Sequence, residues 1–427
     1  MTIYELSNKI SNGGMDELFS KIYRNSDIEK LRQRARYLSA AENFSKLYPQ
    51  RENIHVFSVP ARTEICGNHT DHQCGSVLAA AVTLDILGFV AYHDEAVVRI
   101  KSEGFEPVEI DINDLSDIAE KYSKFGALTA GIISEFAKRE IICGGFDAYI
   151  TSDIPVGSGL SSSSAYEILI CNIINNSGNG NLSVIDIAKI GQYAENEFLG
   201  KKCGLMDQLT CATGGIIRID LRNQNEPDIH KIDFDFLQSG YSLCIVDTKG
   251  SHDNLNDDYD EIVSDMKSVA KAMGINYLGE ANEEQFYENL TEIRRICNDR
   301  AIVRAAHFFA ENQRAVSVAE VLEWGRLEEF FGFINESGNS SAMMLQNMYS
   351  PKNREKQELM VGIAVSRRYL NGSGAVRVHG GGFAGTIQAF VPNYMVNGYI
   401  RKLDGVFGEG STMVMGIRKE NGSIIFD

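Results

Sequence analysis

Between residues 155 and 165 the chain reads PVGSGLSSSSA, a glycine- and serine-rich stretch that we call the serine loop. It follows GFDAYITSDI, in which apolar and polar residues alternate as in a β-strand, and it precedes an apolar, helix-like segment. Glycine lets the backbone approach a phosphate closely, and the first N–H groups of a helix point at such an anion. The order of strand, small-residue loop and helix therefore predicts a phosphate-binding turn.

Two interpretations of the serine loop remain open from the residues alone. It lacks the lysine of the Walker sequence GxxxxGK[ST], so an ordinary tight turn with a serine cap is the simpler alternative. A loop that serves a nucleotide would need a hydroxyl near Mg²⁺, because this ion prefers oxygen ligands. Ser163 is the candidate for that hydroxyl, and Ser162 is its near alternative.

The composition excludes several classes of function. A chain of 427 residues with 44% hydrophobic residues predicts two or three domains with substantial cores. The net charge of −17 argues against nucleic acid or an anionic membrane as a partner. The eight cysteines contain no CxxC pair, and neither a signal peptide nor a bilayer-spanning apolar run is recognised. We therefore expect a protein of the reducing cytoplasm, and we expect a monomer.

The pattern of apolar residues divides the chain into three parts. Residues 1–48 are predicted to be a helical extension, residues 49–230 a domain of strands and helices, and residues 231–427 a second such domain. The boundary is placed near residues 222–240, because RNQNEPDIHKIDFDF (222–236) is polar and irregular. The mixed order of elements predicts two α+β domains with a site between them.

Some element boundaries within these domains are also predicted. EVLEWGRLEEFFGFINE (320–336) is expected to form one long helix. SVLAAAV (76–82) and LGFVAYH (87–93) are expected to form two strands. Ser183 precedes a helical pattern and is expected to cap that helix.

Two further segments carry charged groups of the kind that phosphoryl transfer requires. Arg62 lies in ARTEICGNHTDH (61–72), and Glu195 and Asp207 lie in AENEFLGKKCGLMDQL (194–209). Phosphoryl transfer needs one carboxylate to hold Mg²⁺ and another to accept or orient the proton of the attacking hydroxyl, and a guanidinium suits the transferring group. The structural alternatives are a helix cap for Asp207, a solvated helix face for Glu195 and a surface salt bridge for Arg62.

The polar residues that follow Arg62 suit a ligand rich in hydroxyl groups. Asn68, His69, Asp71 and His72 supply hydrogen-bond donors and acceptors in one short loop. An Asx turn is the alternative, and a metal site is not expected because a third ligand at helical spacing is missing. The late turn HGGGFAG (379–385) would bring backbone close to a ligand, or would serve as a hairpin turn.

Taken in order, these segments resemble the galactokinase branch of the GHMP superfamily of small-molecule kinases, which also includes homoserine, mevalonate and phosphomevalonate kinases. AENEFLGKKCGLMDQL is similar to the stretch around that family's catalytic aspartate, GLSSSSAYE to its GLSSSAAFE, and ARTEICGNHTDH to its signature GRxNLIGEHTDY. RAAHFFAENQRA (304–315) and GGGFAG also fit. The resemblance runs from about residue 50 to the C-terminus.

The resemblance implies ATP-dependent phosphorylation of the anomeric hydroxyl of galactose or a related sugar, with Mg²⁺ as cofactor. It implies the two-domain α+β fold of the GHMP kinases, with a ribosomal-S5-domain-2-like N-terminal domain, a ferredoxin-like C-terminal domain and the active site between them. It makes Arg62 and Asp207 catalytic and places Ser163 and Glu195 at the metal. It places the other candidates at the nucleotide (Pro155, Gly157, Ser158, Gly159, Leu160, Ser161, Ser162, Ser163, Ser164 and Ala165) and at the sugar (Asn68, His69, Asp71, Tyr259 and Gly381).

Three positions depart from the signature of this family. Its glutamate is Asn68 here, its asparagine is Glu64, and its tyrosine is His72. An amide donates as well as accepts hydrogen bonds, and one such contact shifts discrimination between ligands by roughly 1–3 kcal/mol. A kinase for another sugar is therefore one alternative. A sugar- and ATP-sensing protein without catalysis, with its N-terminal helices as a docking element, is the other.

Overall fold

The computed structural model describes residues 1–23, 26–155, 157–178, 180–200, 203–251 and 255–426. Val156 of the serine loop lies outside the described residues, as do residues 201 and 202 of the segment that carries Glu195 and Asp207.

Two β-sheets organise the described part of the chain. The larger sheet has the strand order β12-β1-β2-β5-β3-β4, with β6 paired to β2 and to β7, and the second sheet has the order β11-β8-β10-β9. The strands are β1 (His55–Cys66), β2 (Ser76–His93), β3 (Val97–Ser102), β4 (Val108–Asp111), β5 (Gly145–Ser152), β6 (Ile216–Asp220), β7 (Asp228–Ile232), β8 (Tyr241–Asp247), β9 (Ala375–Val378), β10 (Thr386–Pro392), β11 (Thr412–Met415) and β12 (Ser423–Phe426).

Helices cover both sheets. Ser183 caps one of them as predicted, because its hydroxyl accepts a hydrogen bond from the backbone N–H of Asp186. No helix of the described residues is long and apolar enough to cross a membrane. The helices are α1 (Ile3–Ser11), α2 (Asp16–Ile22), α3 (Asp27–Leu47), α4 (Ile118–Lys121), α5 (Lys124–Lys138), α6 (Ser162–Ser177), α7 (Val184–Phe198), α8 (Met206–Thr213), α9 (Asn256–Ala272), α10 (Glu283–Glu288), α11 (Leu290–Ile296), α12 (Asp299–Glu323), α13 (Leu327–Ser340), α14 (Glu358–Leu370) and α15 (Val396–Phe407).

The long strand β2 is the centre of the larger sheet, because it pairs with β1, β5 and β6. Its two faces are covered by different helices. Gly88 lies against Leu169 of α6 on one face. Leu87 and Phe89 share a buried apolar cluster with Phe44 of α3 on the other. Both faces of the strand are therefore buried, and its sequence accordingly lacks the alternation of an exposed strand.

The second sheet is also covered on both faces. Alternate residues of β8 belong to different apolar clusters: Cys244 and Val246 pack with the cluster of α14 and α15, and Leu243 and Ile245 with the large core shared with the first sheet. This sheet therefore packs directly against the rest of the chain, and the site described below lies where the two parts meet.

The structure corrects three boundaries predicted from the sequence. The polar segment 222–236 contains β7, which pairs with β6 through its whole length. The single helix predicted for residues 320–336 is two helices, because α12 ends at Glu323 and Gly325 takes a positive φ of 68° before α13 begins. The two strands predicted at 76–82 and 87–93 are one continuous strand, β2.

The helical extension predicted at residues 1–48 is present as α1, α2 and α3, and it is part of the main body. Phe19 and Tyr37 are fully buried in one cluster with Val56 of β1 and Phe89 of β2. The apolar faces of these helices are thus occupied by the chain's own sheet. This packing argues against the alternative in which the extension is a free docking element.

The C-terminal segment returns to the first sheet. β12 pairs with the outer edge of β1, and Ile417 forms an isolated bridge with Val82 of β2. Residues 417–426 therefore pack with the first domain, although the sequence assigns them to the second.

Candidate active site

Arg62 and Asp207 form a bidentate ion pair at the meeting point of the two parts. Arg62 lies on β1 and Asp207 in the first turn of α8. The Nε and Nη2 groups of Arg62 donate to Oδ1 and Oδ2 of Asp207, each at 2.6 Å. Burial opposes the charge of the guanidinium, but the charge of Asp207, its hydrogen bonds with Arg62 and smaller nearby contributions together raise the pKa of Arg62. The sequence prediction that these residues act together is consistent with this contact.

The serine loop is attached to the same pair. Arg62 Nη1 donates to the carbonyl of Gly159 at 2.7 Å, and the Ser161 hydroxyl donates to Asp207 Oδ2. Ser161 has a positive φ of 56°, which turns the chain from the loop into α6 at Ser162. The first N–H groups of α6 are left without helical partners and are available to an anion. Loop, arginine and carboxylate therefore form one connected unit.

The residues of the serine loop differ in what they present. Ser162 is exposed and Ser163 is half-buried, so their hydroxyls are accessible to a ligand. The side chains of Ser158, Leu160, Ser164 and Ala165 are buried, and Ser158 Oγ donates to the Pro155 carbonyl at 2.7 Å. These four positions can offer only backbone groups to a nucleotide. The nucleotide-binding role predicted for them is therefore limited to contacts through backbone N–H and C=O groups.

Ser163 and Glu195, the predicted metal pair, are in contact. Ser163 Oγ donates to Glu195 Oε1 at 3.0 Å. Gln208 Nε2 donates to Glu195 Oε2 at 3.1 Å and to Glu167 Oε2 at 2.9 Å, which fixes the buried carboxylate of Glu195. A hydroxyl and a carboxylate suit Mg²⁺, which takes a few protein oxygens and keeps its remaining ligands as water and phosphate. The donor set thus fits the ion that the sequence implies.

An apolar cavity of about 230 Å³, which was not predicted from the sequence, opens next to the serine loop. It is flanked by the aromatic residues Phe105, Phe125 and Tyr166, and Ser162 and Ser163 stand at its border. Flat apolar walls with a polar end suit a purine base attached to phosphates. The remaining lining residues are Ile86, Ser102, Glu103, Lys124, Leu128, Ile150, Ser152, Ile154 and Leu199.

Asp71 lies near the Arg62–Asp207 pair, and His69 precedes it in the same loop. Burial raises the pKa of Asp71 to about 7, and the nearby charge of Asp207 adds to this shift. The Asp71 carboxylate accepts the backbone N–H of His72 at 2.8 Å and packs so closely on Gly204 that a Cβ there would collide with it. Burial lowers the pKa of His69, so this imidazole is neutral at pH 7.

Tyr259 and Gly381 lie beside His69. The His69 ring stacks on the Tyr259 ring with centroids 6.5 Å apart, and His69 Nε2 lies 2.9 Å from the Gly381 carbonyl. The Tyr259 hydroxyl donates to the Gly382 carbonyl at 3.0 Å. A Cβ on Gly381 would lie 2.6 Å from the Tyr259 ring, so glycine is required for this close approach. His69, Tyr259 and Gly381 are thus in contact, and Asp71 lies two residues after His69 in the same loop.

Asn68 differs from its predicted place at the sugar. It is 1% exposed, and its Nδ2 donates to the Gly380 carbonyl at 2.7 Å and to both oxygens of Glu64 at 3.2 Å. Its Oδ1 accepts from Asn347 Nδ2 at 2.8 Å. Because its polar atoms are engaged by the protein, Asn68 positions the glycine turn 380–382 and does not face the open site.

The helix α12 supplies groups that sequence reasoning did not assign. His307 Nε2 lies 2.9 Å from the Asn68 carbonyl, and Glu311 Oε1 accepts the backbone N–H of Gly67 at 3.1 Å. Although burial opposes its charge, His307, Arg314 and other partners lower the pKa of Glu311 to about 2. His307 and Glu311 both lie in RAAHFFAENQRA, one of the segments that resemble the family. Polar residues within an otherwise apolar helical segment were the signal by which their contacts with residues 67 and 68 could have been predicted.

Known proteins resemble this chain in sequence. Residues 127–215 match the N-terminal domain of GHMP kinases, and residues 42–92 match the galactokinase galactose-binding signature. The galactokinase of Glaesserella parasuis serovar 5 is 31% identical over 355 residues, which are 81% of this chain and 86% of that protein. The galactokinase of Clostridium tetani is 31% identical over 376 residues, which are 86% of this chain and 91% of that protein.

Solved structures resemble it in fold. Lactococcus lactis galactokinase complexed with galactose matches with a TM-score of 0.79 at 23% identity, over 92% of this chain and 100% of that one. A mevalonate kinase matches with a TM-score of 0.60 at 17% identity, over 86% of this chain and 99% of that one. These likenesses confirm the α+β fold of the GHMP kinases that the resemblance implied.

Proposed function

The chain belongs to the galactokinase family, and on that premise we propose that it transfers the γ-phosphoryl group of ATP to the anomeric hydroxyl of galactose. The products are ADP and galactose 1-phosphate. The observation that carries the proposal is the unit of Arg62, Asp207 and the serine loop, in which a guanidinium and a carboxylate stand beside a turn suited to phosphate.

Asp207 and Arg62 divide the work at the reacting atoms. Asp207 accepts or orients the proton of the attacking hydroxyl, because its carboxylate is an acceptor held in a fixed direction by two hydrogen bonds from Arg62. Arg62 offers positive charge to the transferring phosphoryl group. Positioning and charge neutralisation supply most of the rate, since phosphoryl transfer asks little covalent chemistry of the protein.

The nucleotide is assigned to the cavity and the serine loop. The base enters between Phe105, Phe125 and Tyr166, and the phosphates lie on the first N–H groups of α6. Ser163 and Glu195 would hold Mg²⁺, whose charge offsets that of the phosphates when it is bound. This assignment explains why an acidic chain can still bind ATP, because local groups decide that affinity.

We assign the sugar to the region lined by four residues: His69, Asp71, Tyr259 and Gly381. A neutral imidazole, a carboxyl group and backbone carbonyls offer both donors and acceptors to hydroxyl groups. The departure at Asn68 acts through the glycine turn, since the side chain itself is buried. A related sugar is therefore the alternative acceptor, and galactose is the first choice from the family.

We propose that the reaction takes place in the cytoplasm. The eight cysteines, all within the described residues, form no disulfide with one another, which suits a reducing cytoplasm. We also propose that the protein is a monomer and that the chain divides into residues 1–48, 49–230 and 231–427, with two corrections: β7 continues the first sheet to residue 232, and residues 417–426 pack on the first part.

The experiment that tests the proposed function is an ADP-release assay with Mg²⁺, ATP and a panel of sugars headed by galactose. Galactose-selective turnover supports the proposal. Selective turnover of another sugar keeps the mechanism and replaces the acceptor. ADP binding without turnover on any sugar would refute the kinase and favour the sensing alternative.

A further inference from the structure

The strands β2 and β5 form a wall with the N-terminal helices on one side and the apolar cavity on the other. Ile86 and Ile150 line the cavity. Leu87 and Tyr149, their neighbours in the two strands, belong to the buried cluster that contains Phe44 of α3. Successive side chains of a strand point to opposite faces of the sheet, and the sheet is close-packed. A shift of α3 on one face would therefore change the shape of the cavity on the other.

Two aspartates close this wall at the end next to the serine loop. The backbone N–H of Asp85 donates to Asp153 Oδ1 at 2.8 Å, and the backbone N–H of Asp153 donates to the Asp85 carbonyl at 3.2 Å. Each has an immediate chain neighbour in the cavity lining, Ile86 and Ile154 respectively. Asp153 also precedes Pro155, the first residue of the serine loop. The two aspartates thus lie where the cavity wall passes into the loop.

Two arginines of α3 supply counter-charge to both aspartates. Arg36 Nη1 donates to Asp85 Oδ1 at 2.6 Å and lies 3.4 Å from Asp153 Oδ2, and Arg36 Nη2 donates to the Asp85 carbonyl at 3.0 Å. Arg32 Nη2 donates to Asp153 Oδ2 at 3.0 Å. The side chain of Asp85 is 0% exposed and that of Arg36 is 12% exposed. A charge so far from water is costly to leave without its partner.

Three further groups fix Asp85 from other directions. The hydroxyl of Tyr23, which follows α2, and the hydroxyl of Ser58 both donate to Asp85 Oδ2, the first at 2.7 Å, and Arg418 Nη1 lies 3.3 Å from the same oxygen. Asp85 is therefore held in place even when Arg36 is changed. Asp153 then keeps its hydrogen bonds from Arg32 and from the Asp85 N–H, but it loses the guanidinium that it shares with the Asp85 carboxylate. A change at Arg36 should consequently be felt at the Asp153 side, where the serine loop begins.

We propose that Arg36 is a positioning residue for the nucleotide: by bridging Asp85 and Asp153 it fixes the cavity wall and the start of the serine loop in the geometry that ATP and ADP bind. The inference rests on the proposed function, because it assigns the cavity and the loop to the nucleotide. The N-terminal extension then serves nucleotide binding from behind the sheet.

A purely structural role for Arg36 would have different consequences. The extension buries Phe19, Tyr37 and Phe44 against the sheet, so its loosening lowers the stability of the whole fold. The affinity of the folded fraction for nucleotide would then be unchanged. The two roles can therefore be distinguished by measurement. A positioning role weakens nucleotide binding more than sugar binding, whereas a purely structural role leaves the nucleotide affinity of the folded protein unchanged.

The test compares Arg36→Gln and Arg36→Lys with the matched control Arg34→Gln in the full chain. Arg34 lies on the same helix and pairs with Asp16, both within the extension. The measurements are the dissociation constant of ADP by titration calorimetry, the KM for ATP and for galactose, and the melting temperature. We expect Arg36→Gln to weaken ADP and raise the KM for ATP about tenfold, with the KM for galactose changed less than about twofold.

The other variants define the expected pattern. Arg36→Lys keeps the charge but loses the planar fork, so its ADP affinity should fall between wild type and Arg36→Gln. Arg34→Gln should lower the melting temperature and leave ADP affinity unchanged. Equal ADP affinity in wild type and folded Arg36→Gln overturns the proposal, and so does an equal rise in both KM values.

Two provisions keep the result decisive. If Arg36→Gln does not fold, Asp153→Asn tests the same bridge from its other end, and an unchanged ADP affinity there overturns the proposal. If wild type binds ADP but does not phosphorylate galactose, the proposed function fails, while the ADP comparison among the variants still decides the role of Arg36.

Discussion

Glu64 of β1 and Arg377 of β9 form an ion pair inside the protein, with Glu64 Oε1 2.5 Å from Arg377 Nη2 and exposures of 4% and 0% for the two side chains. The pair joins the two sheets. It lies near the glycine turn 380–382, because Asn68 contacts both Glu64 and Gly380. Glu64 also accepts hydrogen bonds from Asn68. The carboxylate and amide that stand in exchanged order relative to the family signature are therefore in contact, and Arg377 supplies the counter-charge for the relocated carboxylate.

The first prediction concerns this pair. Glu64→Gln leaves the buried guanidinium of Arg377 without its counter-charge and should lower the free energy of unfolding by about 3–5 kcal/mol. Urea unfolding measures the effect. A matched variant, Glu64→Gln with Asn68→Asp, restores one carboxylate in the same cluster and should recover part of the loss. A single variant as stable as wild type would contradict the assignment.

Asp207→Asn tests the base or orienting group. The amide keeps the shape of the carboxylate but loses its charge, so kcat should fall about 10²–10⁴-fold. Titration calorimetry should find ADP affinity close to wild type, because the cavity and the N–H groups of α6 are untouched. Near-normal turnover would remove Asp207 from the chemistry.

Arg62→Lys tests the guanidinium. Lysine keeps a positive charge, but it has no fork with which to contact both oxygens of Asp207 and the carbonyl of Gly159. We expect kcat to fall about 10²–10³-fold in the ADP-release assay. A fall of less than about threefold would mean that charge alone is sufficient at this position.

Glu195→Gln tests the metal pair. The amide still accepts the hydrogen bond from Ser163, but it lacks the negative charge that favours Mg²⁺. The Mg²⁺ concentration for half-maximal activity should therefore rise about 10–100-fold. Glu197→Gln, at an exposed position on the same helix, is the matched control and should leave the requirement unchanged. Equal Mg²⁺ dependence in both variants would exclude Glu195 as a ligand.

Asp71 predicts a pH dependence of stability. Its pKa is raised from 3.8 to about 7 in the fold, first by burial and then by Asp207. Between these values the folded state binds more protons than the unfolded state, so this group makes stability fall as pH rises from 4 to 7. Asp71→Asn removes the effect. Its stability relative to wild type should increase over that window in urea unfolding.

The control for this experiment is Asp94→Asn at an exposed bend after β2, which removes one negative charge elsewhere on the chain. A constant difference in stability between Asp71→Asn and wild type at all pH values would show that the carboxyl of Asp71 does not titrate in this range.

The parts of the site that lie within continuous segments were predictable from the sequence. The serine loop and the capping Ser183 follow from turn chemistry and helix caps. Such local signals depend on neighbouring residues, and neighbours are visible in a sequence.

Features made by distant residues were not predictable in this way. The aromatic walls of the cavity, Phe105, Phe125 and Tyr166, come from separate elements, and their order along the chain carries no periodic signal. The strand β7 is rich in charges and exists because β6 provides its hydrogen-bond partners. The burial of Asn68 depends on Asn347 and Gly380, which the sequence places far away.

The return of residues 417–426 to the first sheet has a consequence for synthesis. Until the ribosome has released this segment, β1 has an open edge and Asp85 lacks its contact with Arg418. During translation of the second domain, the N-terminal half of the chain therefore has an exposed strand edge and a buried charge that is incompletely neutralised. Chaperone demand during that interval, and sensitivity to truncation near residue 417, are expected to exceed what the finished fold would suggest.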